Sequence, residues 1–433
     1  MGEGVSVMKV EKLSEIDLNR LTRKSYGDDA ALEQRVTDIL SKVRNEGDKA
    51  LFELTETLDK VDLRAKGLKV SEAEIDVAYA KVSDEYLAAV RQAKENIYSY
   101  HAKQKRTSWL EPGEDGSALG QLILPLKRVG IYVPGGTAAY PSSVLMNALP
   151  AQVAGVEEIV MVSPPLKDGS LLPEVLVAAA EVGVKEIYKL GGAQAIGALA
   201  YGTEQIRPVD KITGPGNIYV TLAKKQVFGI VDIDMLAGPS EILVLADESA
   251  VPEELAADLL SQAEHDRLAS AILVSPNEGV LQATIEEVER QLATLPRKEI
   301  AQASWETYGA AILVKDVAEG MELANRIAPE HFELVVKESF QWLGRVRNAG
   351  AVFLGRYSPE PVGDYFAGPN HVLPTGGTAR FYSALNVDTF MKKVSIISYS
   401  EEALRRDAKQ IACLARKEGL EAHARAVEAR KLN

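Results

Sequence analysis

From Leu32 to about Lys105 the apolar residues recur at intervals of three and four, as in Ala78, Val82, Tyr86, Val90 and Ile97, which is the helical period. A mostly helical opening is expected. Around Leu119 to Val133 the pattern changes to Leu, Ile and Val runs that end at Pro134-Gly135-Gly136, a strand followed by a turn. Short β runs then alternate with helical patterns: strands 158–162, 185–190 and 211–213, and helices 172–182, 193–201 and from Asn217. A second series follows strand 242–245, with helices 252–265, 280–295 and 318–327 and strands 271–274, 311–314 and 332–336. Such alternation indicates parallel sheets with crossover helices, here in two α/β units. Ile159-Val160-Met161-Val162-Ser163-Pro164 and Ala271-Ile272-Leu273-Val274-Ser275-Pro276 look alike, through either an ancient duplication or the narrow choice of residues in buried strands. A Gly/Pro-rich loop runs from Gly355 to about Gly377, and loops of that length usually carry function. A β-like run, Val394 to Tyr399, and a charged helical tail from Ser400 close the chain.

With 433 residues, about two to four domains are expected. A hydrophobic content of 46% against 26% charged residues is that of a globular chain. The net charge of −13 repels phosphate backbones and anionic lipid, which argues against nucleic-acid and membrane partners. Apolar runs fall far short of the roughly 20 residues needed to span a bilayer, and no basic segment followed by an apolar run opens the chain. The single cysteine, Cys413, excludes an internal disulfide or a Cys-rich metal site, so the cytoplasm is the expected compartment.

Histidine is scarce, so each context can be weighed. His101, among Lys103, Lys105 and Arg106, reads as a solvated helix end. Gln262 and His265 are three apart at the end of a helix and would share a face, as metal ligands or as an ordinary C-terminus favoured by the dipole. Ala328-Pro329-Glu330-His331 sets an acid beside an imidazole at a strand start, which suits general acid–base work or a solvated turn. Asp364, Asn370 and His371 lie between glycines in the long loop, where ligand sites are often built. Gly191-Gly192-Ala193-Gln194 and Gly214-Pro215-Gly216-Asn217 each follow a strand and open a helix, where backbone can approach a phosphate, although neither matches the full dinucleotide fingerprint. Glu418 and His423 flank Gly419, a helix-stopping residue; either the break turns both toward one site or they are solvated tail residues.

Taken together, these stretches resemble histidinol dehydrogenase over nearly the whole chain. The resemblance is carried by Tyr132-Val133-Pro134-Gly135-Gly136-Thr137, Gly191 to Ile196, Gly214 to Asn217, Ala237-Gly238-Pro239-Ser240-Glu241, Gln262 to His265, Ala328 to His331, Val362 to Tyr365 and Asn370 to Gly377. It implies an NAD-dependent, four-electron oxidation of L-histidinol to L-histidine through the aldehyde. It implies zinc held by Gln262, His265 and Asp364, with His423 supplied by the other subunit of an intertwined homodimer. Glu330 is the implied activator of water and His331 the implied base. Ser240, Gln262, His265, His331, Asp364, Glu418 and His423 match substrate-contacting positions, and Tyr132, Gln194 and Asn217 match NAD-contacting ones. Asp266 departs from the pattern, in which glycine is common after the histidine, and is expected to face away from the metal.

The expected fold is α/β, with two incomplete Rossmann-like doubly wound domains and helical N-terminal and C-terminal extensions. Residues 1–25 would form the first extension, 26–131 with 242–383 the domain carrying most of the zinc and catalytic residues, 132–241 the NAD-contacting domain, and 384–433 an extension exchanged in the dimer. The competing functions are a dehydrogenase of another small alcohol and a zinc hydrolase using Glu330 without nicotinamide.

Overall fold

The computed structural model describes residues 8–21, 29–135 and 140–430; residues 1–7 and 22–25 of the expected N-terminal extension lie outside them, as do Gly136 and Thr137. Strands are numbered along the chain. A five-stranded parallel sheet has the order β6 (Glu186–Lys189), β5 (Glu158–Ser163), β4 (Arg128–Tyr132), β7 (Lys211–Thr213), β8 (Asp232–Ile233). A six-stranded parallel sheet has the order β1 (Val10–Lys12), β11 (Ala310–Leu313), β10 (Ser270–Ser275), β9 (Glu241–Ala246), β12 (His331–Val335), β13 (Ala351–Leu354). Apart from β1 the two share one topology: the first strand is central, the next two step outward on one side and the last two on the other. The two Val-Ser-Pro segments fall on β5 and β10, which occupy equivalent places, as a duplication requires.

The Leu119 to Val133 run is not one strand. It divides at Leu126-Lys127 into β3 (Ala118–Pro125) and β4. β3 leaves the parallel sheet and pairs antiparallel with both β2 (Trp109–Pro112) and β14 (Met391–Ser398), so the C-terminal β run completes a three-stranded ribbon.

Parallel sheets are buried on both faces, which explains why β4, β9, β10 and β12 are apolar without alternation. Ile242 to Leu245 are wholly buried, each side chain contributing about 1.5–3 kcal/mol relative to exposure. Helix Ala30–Glu46 seats Val36, Leu40 and Val43 in one core with Tyr132, Ala195 and Leu199. Helix Asp84–Ala102 seats Val90, Ala93 and Ile97 in another with Val129 and Ile131. This differs from the expected grouping of 26–131 with 242–383: the helices of residues 30–102 cover the five-stranded sheet. The reason is that β4, its central strand, begins at Arg128, and its own crossover helices leave apolar area that the opening helices complete. Val372, Leu385, Val387 and Phe390 join the same core, so the chain beyond β13 returns to this unit.

The loop after β7 is clamped from below. Gly214, at φ +109°, leaves no room for a Cβ, which would stand 2.1 Å from the Tyr132 carbonyl oxygen. Asp234 Oδ2 accepts from the Gly214 N–H at 2.8 Å, and Lys224 Nζ donates to the Gly214 carbonyl at 3.0 Å while pairing with Asp234. Both charged side chains are buried. Removing one partner of such a pair costs about 3–5 kcal/mol, and replacing both with apolar groups costs less. Asp234→Ala is therefore expected to lower the unfolding midpoint sharply and Lys224→Met/Asp234→Leu to lower it less, as read by denaturant titration.

Candidate active site

The parallel register places His331 opposite Ile242, so Glu241 and His331 open adjacent strands at the amino edge of the six-stranded sheet. Helix Pro252–Ala263 runs back from β9 and delivers Gln262 and then His265 to that same edge. The short helix Glu360–Tyr365 brings Glu360 and Asp364. His331 Nδ1 lies 3.1 Å from the Glu241 carbonyl oxygen and 2.8 Å from Gln262 Oε1. Both neighbours are acceptors, so Nδ1 carries the proton and Nε2 is left with its lone pair. Nε2 is buried without a hydrogen-bond partner, 3.8 Å from Glu360 Oε1 and 3.9 Å from Asp364 Oδ1. The Phe353 ring lies 6.0 Å away, centroid to centroid.

Burial sets the electrostatics. It drives His331 down to about 3, with His265 and His371 adding repulsion, so this imidazole is neutral at physiological pH. Glu330, whose Oε2 accepts from the Glu241 N–H at 2.9 Å, is pushed well above the carboxylate range by burial and then by the charges of Glu241, Asp364 and Glu360. Burial also raises Glu360 to about 9, the neighbouring Asp364 adding to it, and Asp364 to about 6. His371, whose Nδ1 meets the Asp364 carbonyl oxygen at 2.9 Å, is lowered by burial to about 4. One donor atom each from His265, Glu360 and Asp364 lies within 4.8 Å of the others, a mixed nitrogen and oxygen set that suits a catalytic zinc. A cavity of about 580 Å³, lined by Val352, Phe353, Val362, Asp364 and His371, opens beside them. That is room for a small molecule.

The sequence profile of the histidinol dehydrogenase family matches residues 22–431. Histidinol dehydrogenase of Moorella thermoacetica is 61% identical over 397 residues, 92% of this chain and 94% of that protein. The enzyme of Heliobacterium mobile is 59% identical over 415 residues, covering 96% and 97%. The crystal structure of histidinol dehydrogenase from Elizabethkingia anophelis, 40% identical, superposes with a TM-score of 0.91 over 97% of this chain and 96% of that one.

The chain belongs to the histidinol dehydrogenase family. It is thus an oxidoreductase, and its two Rossmann-like units are those of that family. Of the residues singled out by the histidinol dehydrogenase resemblance, Gln262, His265, Glu330, His331 and Asp364 converge at one edge, with Ser240 next to Glu241 at the entry to β9. Gln262 is engaged by His331 rather than turned to the acidic pair, and Glu360 stands in the donor set beside His265 and Asp364. Tyr132 and Gln194 lie at the carboxyl edge of the five-stranded sheet, both buried, and exposed Asn217 caps helix Ile218–Val227 through Oδ1. Glu418 and His423 are exposed on the C-terminal helix pair, Glu401–Lys417 and Glu421–Glu428, broken at Gly419 with φ +79°. Within one chain they do not join the cluster among the described residues. Asp266 is exposed and accepts from the Leu268 N–H at 2.8 Å, a turn role.

His101 is not solvated. It is fully buried, with Nδ1 2.8 Å from the Ile97 carbonyl and Nε2 3.4 Å from Asn370 Nδ2. The helical stripe of Val90, Ala93 and Ile97 continues onto it and was the signal for its burial. Glu360 was missed as well, although its spacing of four from Asp364 was a cue once the loop is helical.

A second acidic pair backs the site: Glu333 Oε1 accepts from the Glu360 N–H at 2.7 Å, and Glu333 shares a hydrogen bond with Asp258. Burial raises Glu333 well above the ordinary 4.5 and Asp258 to about 6. Raised carboxyls hold protons in the folded chain that the unfolded chain has lost, so stability is fullest below the ordinary value and declines as pH rises. The melting temperature of the metal-free protein is expected to fall from pH 6 to pH 9. Glu333→Gln, which keeps both hydrogen bonds without the charge, should flatten that fall by about 1 °C per kcal/mol relieved in a chain of this length.

Proposed function

We propose that this chain oxidises L-histidinol to L-histidine in two successive hydride transfers to NAD at a zinc site, the last steps of histidine biosynthesis. The overall change consumes one water and two NAD and releases two NADH and three protons. The observation that carries this reading is the His331 tautomer: a buried imidazole with Nδ1 committed to two acceptors and a free Nε2 facing two carboxylates. Family membership supplies the substrate. His265 and Asp364 would hold zinc with Gln262, whose carboxamide oxygen has a second lone pair beyond the one turned to His331, and with His423 of the partner subunit. Bound zinc supplies a Lewis-acid anchor for the amine and imidazole nitrogens of the substrate, and bound NAD accepts the hydride.

His331 Nε2 takes the hydroxyl proton as hydride leaves the carbinol carbon. The imidazolium so formed keeps its Nδ1 hydrogen bonds and gains the charge of Asp364 close by. Glu330, held by the Glu241 N–H, takes a proton from the water that adds to the aldehyde, its raised proton affinity making it a stronger base than an exposed carboxylate. His331 then receives the hydroxyl proton of the hydrate during the second transfer. Tyr132, Gln194 and Asn217 contact NAD, while Ser240 and Glu418 contact substrate, Glu418 and His423 coming from the second subunit of a homodimer. Leu110, Leu119 and Ile397 on the three-stranded ribbon are exposed, which supports such pairing. No described helix is long and apolar enough to cross a membrane, and we place the enzyme in the cytoplasm.

About two NADH per histidinol are expected, lost on chelation and restored by zinc; a folded, zinc-loaded protein that forms none would refute the assignment. His331→Asn and Glu330→Gln should each lower kcat by about 10²–10⁴-fold, with the aldehyde trappable only in the Glu330 variant. Mixing inactive His331→Asn with inactive His423→Asn tests the shared site. Random reassociation should recover about a quarter of wild-type activity, since half the dimers are mixed and each holds one intact site. No recovery would remove His423 from the partner's site.

A further inference from the structure

At the carboxyl edge of the five-stranded sheet the first strand, β4, ends at Tyr132, and the strand order reverses between β4 and β7. Ligands of open α/β sheets bind at that reversal. Asp59, which the sequence does not single out, reaches this edge from the opening helices. It closes a single π-helical turn, Thr55–Asp59, followed by Lys60 in the left-handed region at φ +62°. Such turns are uncommon and concentrate at functional sites. Its Oδ2 accepts from Gln194 Nε2 at 3.0 Å. Gln194 is wholly buried, and its Oε1 has no hydrogen-bond partner. That oxygen lies over the glycine turn, where a Cβ on Gly192 would meet it at 2.7 Å, and the Gly192 N–H donates to Tyr132 Oη at 3.1 Å.

A carboxamide can present either end, and here the acid decides which. An acceptor such as Asp59 takes the amino end, so the carbonyl end faces the glycine turn. A buried carbonyl oxygen without a donor is costly until a donor arrives. The geometry points to Asp59 as a positioning residue for the cofactor: it fixes the Gln194 carboxamide so that Oε1 accepts a hydrogen bond from a donor group of NAD, a ribose hydroxyl or an amide. This rests on the reading of Gln194 as a cofactor contact. Burial pushes Asp59 up to about 6 against the pull of Gln194, and burial, with a smaller contribution from the Asp59 charge, raises the Tyr132 phenol.

The test is NADH binding to zinc-loaded dimer, by fluorescence titration, for Asp59→Ala, Gln194→Ala and the double variant. Each single change should weaken NADH by about 3–10-fold. The double should match Gln194→Ala, because Asp59 acts only through the glutamine. Zinc content and histidinol KM should stay within twofold. If Gln194→Ala alone leaves NADH binding unchanged, the cofactor reading of Gln194 fails and the inference with it. If Gln194→Ala weakens binding but Asp59→Ala does not, or the two effects simply add, only the role of Asp59 is overturned. Should Asp59→Ala not fold, near-isosteric exchange decides. Gln194→Glu sets two acids together and should weaken NADH about tenfold, and Asp59→Asn/Gln194→Glu, which restores the hydrogen bond in reverse, should recover most of it. No recovery overturns the proposal.

Discussion

The parallel pairing of β9 with β12 is the constraint on which the site depends. It sets Glu241 and His331 at neighbouring strand starts, so that one residue's main chain serves both the acid and the imidazole: the Glu241 N–H holds Glu330 and its carbonyl oxygen holds His331 Nδ1. A main-chain acceptor does not rotate away, and the wholly buried run Ile242 to Leu245 keeps it in place. A one-residue slip would turn the strand's side chains to the other face and separate the acid from the imidazole. The tautomer of His331 is thus a property of the sheet, with Gln262 as a second lock.

The two parallel sheets use opposite edges. The expected NAD contacts lie at the carboxyl ends of β4, β6 and β7, the edge where ligands of open sheets usually bind, whereas Glu241 and His331 lie at the amino ends of theirs. Only Asp234 to Ser240 separates the end of β8 from the start of β9, so the chain itself carries the first edge to the second. Thr375 Oγ1, from the loop beyond β13, accepts from the Gly238 N–H in that connection. A duplicated topology joined this way can hold a cofactor and its substrate between its halves without either half carrying both sites.

Much of this was legible in the sequence where periodicity or glycine turns spoke for themselves. Strands β4 to β7 and β9 to β12, the break at Gly419 and the helix start at Asn217 follow from local pattern, and Glu330-His331 at a strand start located the edge where the acids and imidazoles gather. Long-range partners were not legible. That Gln262 would turn to His331, or that residues 30–102 would cover the five-stranded sheet, depends on which apolar faces remain open after the crossover helices pack. Glu333 sits in a strand buried on both faces, where neither alternation nor composition tells a buried acid from a solvated one. Asp59 lay in a run of Thr, Glu and Asp that reads as solvated helix, and only the π turn directs it inward.

The charge balance of the site argues for a removable cation. Glu330, Glu333, Glu360, Asp364 and Asp258 are all raised by burial, most of them further by one another. Gathering them costs folding free energy unless they bind protons or a positive charge. A buried arginine would neutralise them permanently and leave no position for a substrate nitrogen. A divalent cation on His265 and Asp364 would invert the local preference for protons, add its binding free energy to the folded state and keep a coordination position open. The acidity that costs the chain stability without a cation is therefore the same feature that would let the site take up a metal and receive substrate.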